Sequence, residues 1–289
     1  MKIGFVGAGV VATALAVALS RRGYDIPVVA SRHRDSAARL AARLPACVPE
    51  SAQAVADLAD LVFITTPDDA IAGVADEVRW RPGQAVIHCS GAASTEILWP
   101  ARAAGAAVGA FHPLQSFASV EQAIESLPGT TFATEADEPL LSRLVEIATA
   151  LGGAVVRLRP EDKVLYHASA VLVSNYLVTL VKLATDLWSS FGVDRSTATQ
   201  ALLPLLRGTL GNLERVGLPD CLTGPIARGD LGTVRRHLSA LSVGPAGIAE
   251  TYRLLGIDTI PLAAEKGSLT PERARELLGL LDGQHSALP

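Results

Sequence analysis

Ile3-Gly4-Phe5-Val6-Gly7-Ala8-Gly9-Val10-Val11-Ala12 is the stretch on which the reading of this chain turns. Its first four residues form a short apolar run suited to a buried strand. Gly7 to Ala12 follow the pattern GxGxxA, and an Ala/Leu/Val stretch at helical spacing continues to residue 19. A strand, a glycine turn and a helix, in that order, make the arrangement that binds a dinucleotide. Gly7 permits the tight turn, Gly9 lets a pyrophosphate approach the backbone, and Ala12 lets the helix pack closely on the strand. The helix start offers free N–H groups and a positive dipole end to phosphate. Gly7, Ala8, Gly9, Val10, Val11 and Ala12 are the expected cofactor cradle.

The next strand, Ile26-Pro27-Val28-Val29-Ala30, ends in Ser31-Arg32, followed by His33 and Arg34. NAD-binding folds usually carry an acid here, which accepts hydrogen bonds from the ribose 2′-OH. A hydroxyl and a guanidinium suit a 2′-phosphate instead, because Arg grips phosphate with a planar fork. Ser31 and Arg32 therefore point to NADP(H) over NAD. The bland alternative is a pair of solvated charges opening a helix.

Outward from that unit, short apolar runs alternate with Ala-rich helical stretches. Strands are expected at 2–7, 26–31, 60–66, 84–89, 107–111, 130–134 and 154–158, with helices at about 9–22, 34–44, 69–78, 94–105 and 137–151. Such alternation predicts an α/β fold, a doubly wound, mostly parallel sheet covered on both faces. After residue 159 strand signals vanish, and helices are expected at about 160–191, 195–216, 230–242, 245–256 and 271–282. The expected organisation is a Rossmann domain over 1–159 and an all-α substrate and dimerisation domain over 160–289. Gly283 to Pro289 reads as a frayed tail.

The chain has 289 residues, 49% hydrophobic and 19% charged, with a formal net charge of −4. That balance describes a large core and, with no basic run, gives no support to a nucleic-acid partner. The first strand begins at Lys2 without a leader ahead of it, and Cys47, Cys89 and Cys221 show neither metal spacing nor a disulfide framework. Both features fit a reducing cytoplasm. Val164 to Val181 holds no charged residue, but His167, Ser169, Ser174, Asn175 and Thr179 interrupt it. It reads as a buried core helix and not as a membrane span.

In a parallel sheet the ligand sits beyond the carboxyl ends of the strands. Those ends supply Thr65, Thr66 and Pro67, then Ser90 and Gly91, as further cofactor contacts, each of which could equally be an ordinary turn. His112 ends a strand and could hydrogen-bond a substrate oxygen, with Gln115 and Ser116 just beyond it. The helix opening Pro160-Glu161-Asp162-Lys163 places Lys163, His167, Ala170 and Ser174 within about 60° of one another, with Asn175 on the shoulder. Reduction of a carbonyl needs a proton for oxygen as hydride reaches carbon. A partly desolvated Lys supplies one and stabilises the developing alkoxide. Lys163 and His167 are the catalytic candidates. His112, Gln115, Ser116, Ser174, Asn175, Arg228 and Asp230 are the substrate-binding candidates. Arg228 suits a carboxylate, and Asp230 is also placed to cap a helix. His33, His237 and His285 read as surface residues.

Taken together, the chain resembles the NADP-dependent reductases that join an N-terminal Rossmann domain to a helical C-terminal domain. These include 6-phosphogluconate, 3-hydroxyisobutyrate and prephenate dehydrogenases, ketopantoate reductase and pyrroline-5-carboxylate reductase. Within them it is most similar to a family with a Rossmann-like domain followed by a domain of unknown function. The resemblance rests on Gly7 to Ala12, Phe111 to Phe117, Lys163 with Tyr166-His167 and Ser174-Asn175-Tyr176, and Thr223 to Asp230. Several relatives carry a catalytic Lys followed four residues later by Asn; here Lys163 matches and His167 replaces the Asn. His112-Pro113 looks like the His-Pro that contacts substrate in prephenate dehydrogenases. The resemblance implies an NADPH-dependent reductase of a small 2-oxo acid, ketopantoate-like. The apolar character of the helical domain points to a homodimer, with the helix from Pro160 to Phe191 near the interface. Alternatives are a cyclic imine reductase, a prephenate-like dehydrogenase, or an NADP-binding sensor without turnover.

Overall fold

A computed structural model describes residues 1–283. The frayed tail expected over Gly283 to Pro289 falls almost wholly outside the described residues, as does His285. The sheet has eight strands: β1 (Lys2–Val6), β2 (Asp25–Ala30), β3 (Val48–Glu50), β4 (Leu61–Ile64), β5 (Ala85–His88), β6 (Ala107–Leu114), β7 (Thr131–Ala136) and β8 (Ala154–Arg157). Their order is β3-β2-β1-β4-β5-β6-β7-β8. The first six strands follow the doubly wound order of dinucleotide-binding folds, with the switch point between β1 and β4. β7 runs antiparallel to β6, and β8 parallel to β7.

Helices α1 (Val10–Ser20), α2 (Arg34–Ala41), α3 (Ala52–Leu58), α4 (Asp68–Glu77), α5 (Trp99–Ala103), α6 (Val120–Ser126) and α7 (Leu140–Ala150) cover this sheet. Side chains alternate across the strands. Ile3, Phe5, Leu61, Phe63 and Ile87 enter one core with α1 and α7. Val6, Val62, Ile64 and Val86 enter the other with residues of α3, α4 and α5. β3, α3 and α6 were not expected from the sequence, and β6 runs three residues past its expected end, so that His112 lies within the strand.

Next come α8 (Lys163–Val173), α9 (Asn175–Ser189), α10 (Arg195–Val216), α11 (Leu231–Leu241), α12 (Ile248–Glu265) and α13 (Pro271–Leu281). The single helix expected over 160–191 is two helices broken at Ser174. α10 continues through Pro204.

Residues Met1–Ser174 form one compact unit and the chain from Asn175 forms a second. The division comes one helix after residue 159, because α8 belongs with the sheet, into which it buries Lys163. The second unit has its own core, built on Val234, Leu238, Ile260, Ala263, Leu277 and Leu281.

The stretch Pro160–Ser189 is long and apolar enough to cross a membrane, and its most apolar 18-residue window, of mean hydropathy 1.6, holds no buried residue. The buried core helix expected here is therefore not what forms. Leu165 is 77% exposed and Val173 75%, because Lys163, Tyr166 and His167 are the α8 residues turned toward the sheet.

Candidate active site

Two neighbouring features of the first unit build the site. One is a cleft of about 670 Å³ along the strand ends, lined by Gly7, Ala8, Gly9, Val10, Val11, Ser31, Arg32, Thr65, Thr66 and Pro67. Its size lies within the range of small-molecule and cofactor pockets. Gly7 has φ +115°, and a Cβ there would lie 2.6 Å from the Thr65 carbonyl carbon. Only glycine fits, which is why the turn can close against β4. A Cβ on Gly9, by contrast, would meet nothing within 4 Å. Gly9 therefore leaves open the approach to the start of α1.

α1 has no side-chain cap and no acid in its first turn. Its orphan N–H groups and dipole remain available to phosphate. Thr66 Oγ1 is buried without a hydrogen-bond partner, a further vacant polar position in the wall of the cleft. Among the described residues the Arg32 guanidinium has no hydrogen bond or ion pair. These features fit a dinucleotide carrying a 2′-phosphate. Ala12 does not line the cleft; it is fully buried behind it, where its small side chain lets α1 pack on the sheet.

The second feature is a polar cluster reached through Asp68, the residue after Pro67. Asp68 accepts a hydrogen bond from the Ser90 hydroxyl at 2.6 Å. The same hydroxyl accepts from the backbone N–H of Ala93 at 3.1 Å, and the Ser90 N–H donates to His88 Nδ1 at 3.1 Å. These bonds fix the turn after β5. Ser90 and Gly91, expected at the cofactor, do not line the cleft because this network draws them into the cluster. A Cβ on Gly91 would lie 2.7 Å from the His167 ring and 2.9 Å from His112 Nε2, so both imidazoles pack on this glycine. The two rings stand 6.2 Å apart, nearly perpendicular.

His112 Nδ1 is 2.8 Å from the Tyr166 hydroxyl. Burial, helped by the charges of His167 and Lys163, lowers the His112 pKa to about 4. Burial raises that of Tyr166 to about 12. Both groups are neutral at physiological pH, so the pair holds one shared proton position and offers a neutral donor. Lys163 is 1% exposed. Its Nζ donates to the Ser90 carbonyl at 3.4 Å and lies 3.7 Å from Glu135 Oε2. Burial lowers its pKa, against the raising effect of Glu135.

Residues 1–113 match a Rossmann-like domain, and residues 130–259 match the Domain of unknown function (DUF2520). The chain thus carries a Rossmann-like match followed by a DUF2520 match. Protein TM1727 of Thermotoga maritima superposes with TM-score 0.75 at 26% identity, over 91% of this chain and 99% of that one. BF3122 of Bacteroides fragilis, assigned as an NADP oxidoreductase, gives 0.70 at 26%, over 88% and 96%. The 1-pyrroline-5-carboxylate reductase of Streptococcus pyogenes gives 0.60 over 96% and 98%, and at 17% identity that likeness concerns the fold. No curated protein matches the sequence.

In the first unit the fold brings together Lys163, His167, His112, Ser90 and Gly91. Gln115 and Ser116 stand apart on an exposed loop, where the Gln115 side chain accepts from the Ser116 N–H at 2.9 Å. Ser174 ends α8. Asn175, Arg228 and Asp230 belong to the second unit, and Asp230 caps α11 by accepting from the Thr233 N–H at 2.9 Å. That bond holds its pKa below the usual range.

Sequence reasoning missed Tyr166 as a site residue, although it stands next to His167. It also missed Asp68, Glu135 and His88. Asp68 directly follows Thr65-Thr66-Pro67 at a strand end, a signal that was available. Glu135 gave none, because only the sheet brings it to Lys163.

Proposed function

We propose that this protein is an NADPH-dependent oxidoreductase. What carries the reading is the open, uncapped start of α1 beside a free Arg32 in a cleft of cofactor size. Val10, Val11 and Ala12 would turn their N–H groups toward the pyrophosphate, and Ser31 and Arg32 would hold the 2′-phosphate. Bound there, NADPH supplies hydride. The cluster at Gly91 supplies what the chain must add: a proton for the reduced atom and groups to orient the substrate.

The first substrate reading is a small 2-oxo acid, ketopantoate-like. Lys163 provides the proton, its release eased by burial. His112 and His167 orient the carbonyl. A second reading, a cyclic imine, is favoured by one observation. The Lys163 ammonium is buried against Glu135, while the neutral His112–Tyr166 pair lies less deeply. An imine nitrogen that arrives protonated needs no ammonium donor.

The exposed apolar residues of α8 and α9, including Leu165, Val173 and Val178, suit a second copy of the chain better than lipid, and the enzyme is proposed to act as a cytoplasmic homodimer. Sedimentation of the wild type and Leu165→Glu without detergent tests this, a monomeric wild type being the contrary result.

The decisive experiment follows NADPH absorbance against a panel of 2-oxo acids and cyclic imines, with Lys163→Ala in parallel. Turnover of an oxo acid that the variant loses supports the first reading. Turnover of an imine that survives supports the second. Tight NADPH binding without turnover on any member speaks for a sensor.

A further inference from the structure

Across the sheet, His88, Ala110 and Glu135 are direct partners in one row. Direct partners on adjacent strands project to the same face. An imidazole and a carboxylate thus flank the methyl group of Ala110, which is fully buried. Strand spacing sets the outer two Cα atoms roughly 10 Å apart. The small residue between them leaves room for the ammonium of Lys163, which reaches the Glu135 end of the row.

Glu135 is held from the opposite side. Its Oε1 accepts from the Thr95 N–H at 2.9 Å and from the Thr95 hydroxyl at 2.6 Å. Arg102 in turn donates to that hydroxyl at 3.4 Å. Oε2 is buried with no hydrogen bond, and the whole side chain is 8% exposed. One oxygen is locked, and the other is left to Lys163. Leaving a buried carboxylate oxygen otherwise unsatisfied is costly, so its placement 3.7 Å from Nζ calls for an account.

We propose that Glu135 is a positioning residue: locked by Thr95, it keeps the Lys163 ammonium charged and seated on the Ser90 carbonyl, and thereby sets the pH range over which the Ser90–Gly91 turn holds its shape. The function of that turn rests on the reductase reading; the control of Lys163 by Glu135 does not. Other ionisable groups face Lys163 as well. His88 and Cys89 come from β5, His112 from β6 and Asp68 from α4. His88 is buried, His112 and the Cys89 thiol are half-buried, and all three are neutral at physiological pH. Asp68 is already engaged by the Ser90 hydroxyl. Glu135 is the carboxylate within ion-pair distance.

The test uses the four lysines of the chain. Protein labelled at lysine 13Cε gives few resonances, and the one missing from Lys163→Met identifies Lys163. Removing the Glu135 charge leaves burial unopposed, so Lys163 should lose its proton at lower pH. In Glu135→Gln its midpoint is expected to fall by about 1–3 units, with unchanged NADPH binding as the folding control. Thr95→Val, which removes the hydroxyl's bond to Oε1 but keeps the backbone one and the charge, should move it less in the same sense and serves if Glu135→Gln does not fold. An unmoved midpoint in the variant that folds overturns the proposal. Where the enzyme turns over, the basic limb of kcat should shift likewise. Absence of turnover counts against the reductase reading and leaves the titration to decide this one.

Discussion

Gly91→Ala puts the His112–His167 arrangement to the test. A Cβ on Gly91 would lie 2.7 Å from His167 Cδ2, 2.9 Å from His112 Nε2 and 3.0 Å from His112 Cε1. Carbon contacts are comfortable at roughly 3.5–4.0 Å, so both rings must withdraw by roughly 1 Å. His112 has little freedom to do so, because its Nδ1 is tied to the Tyr166 hydroxyl at 2.8 Å. Overpacking of this kind costs about 1–3 kcal/mol of stability. Displacing a reacting group by about 1 Å can cost 100-fold in rate. We expect kcat to fall about 10- to 100-fold, with the NADPH Kd almost unchanged, since Gly91 does not line the cofactor cleft. Steady-state kinetics, fluorescence titration with NADPH and urea unfolding read the three quantities separately. An unaltered kcat in a folded variant would refute the role given to the two imidazoles.

Other substitutions separate cofactor binding from folding. Gly9→Ala, whose Cβ meets nothing, should leave the unfolding free energy in urea within about 0.5 kcal/mol and weaken NADPH binding. Gly7→Ala should instead destabilise the fold, through the positive φ and the clash with Thr65, and equal stability of the two variants would contradict this assignment. Arg32→Asp should raise the NADPH Kd about 10- to 100-fold, the loss of one or more charge-assisted contacts, while NADH binding is retained or improved. A parallel loss of both cofactors would argue against a 2′-phosphate contact. Stability should also fall in acid. Burial depresses the His88 pKa from 6.5 to about 3, so its contribution is complete above pH 6.5. It is lost at about 1.4 kcal/mol per pH unit as the unfolded chain binds a proton that the folded one refuses, down to pH about 3. His88→Gln should flatten that slope in urea titrations from pH 6.5 to 4, and an unchanged slope would exclude His88 as its source.

The strand, glycine turn and helix at the start of the chain were legible because they are local: an apolar run, two glycines and a helix lie within one short stretch, and each residue type has a steric reason. Most strands were legible for the same reason, but the end of β6, which runs to Leu114, was not. β3 was missed because three residues containing Pro49 make a poor strand signal; Pro is tolerated there because β3 is an edge strand. The reversal of β7 was invisible, since alternation fixes which face a residue takes but not the direction of its strand. Lys163 could be placed one helical turn from His167 by spacing alone. Its counter-ion Glu135, its seat on Ser90 and the partnership of His112 with Tyr166 depend on sheet register, which no local pattern carries. The solvent exposure of α8 was also misjudged. Apolar composition indicates that a surface is to be covered, not which surface covers it.

The antiparallel pairing of β6 with β7 bears on how such proteins could be recombined. The Rossmann-like match stops at residue 113, inside β6, and the DUF2520 match begins at 130, just before β7. The two strands pair from Gly109↔Ala136 to Leu114↔Thr131. A chimera spliced between them would have to re-form that register between strands of different parentage, with His112 on one side and Glu135 on the other. A fragment ending there would leave β6 as an unpaired edge, prone to association. A fragment starting there would hold β7 and β8 alone, too few strands to be stable. Exchange of segments between relatives should therefore succeed at Ser174, where the compact units part, and fail at the seam that sequence similarity suggests.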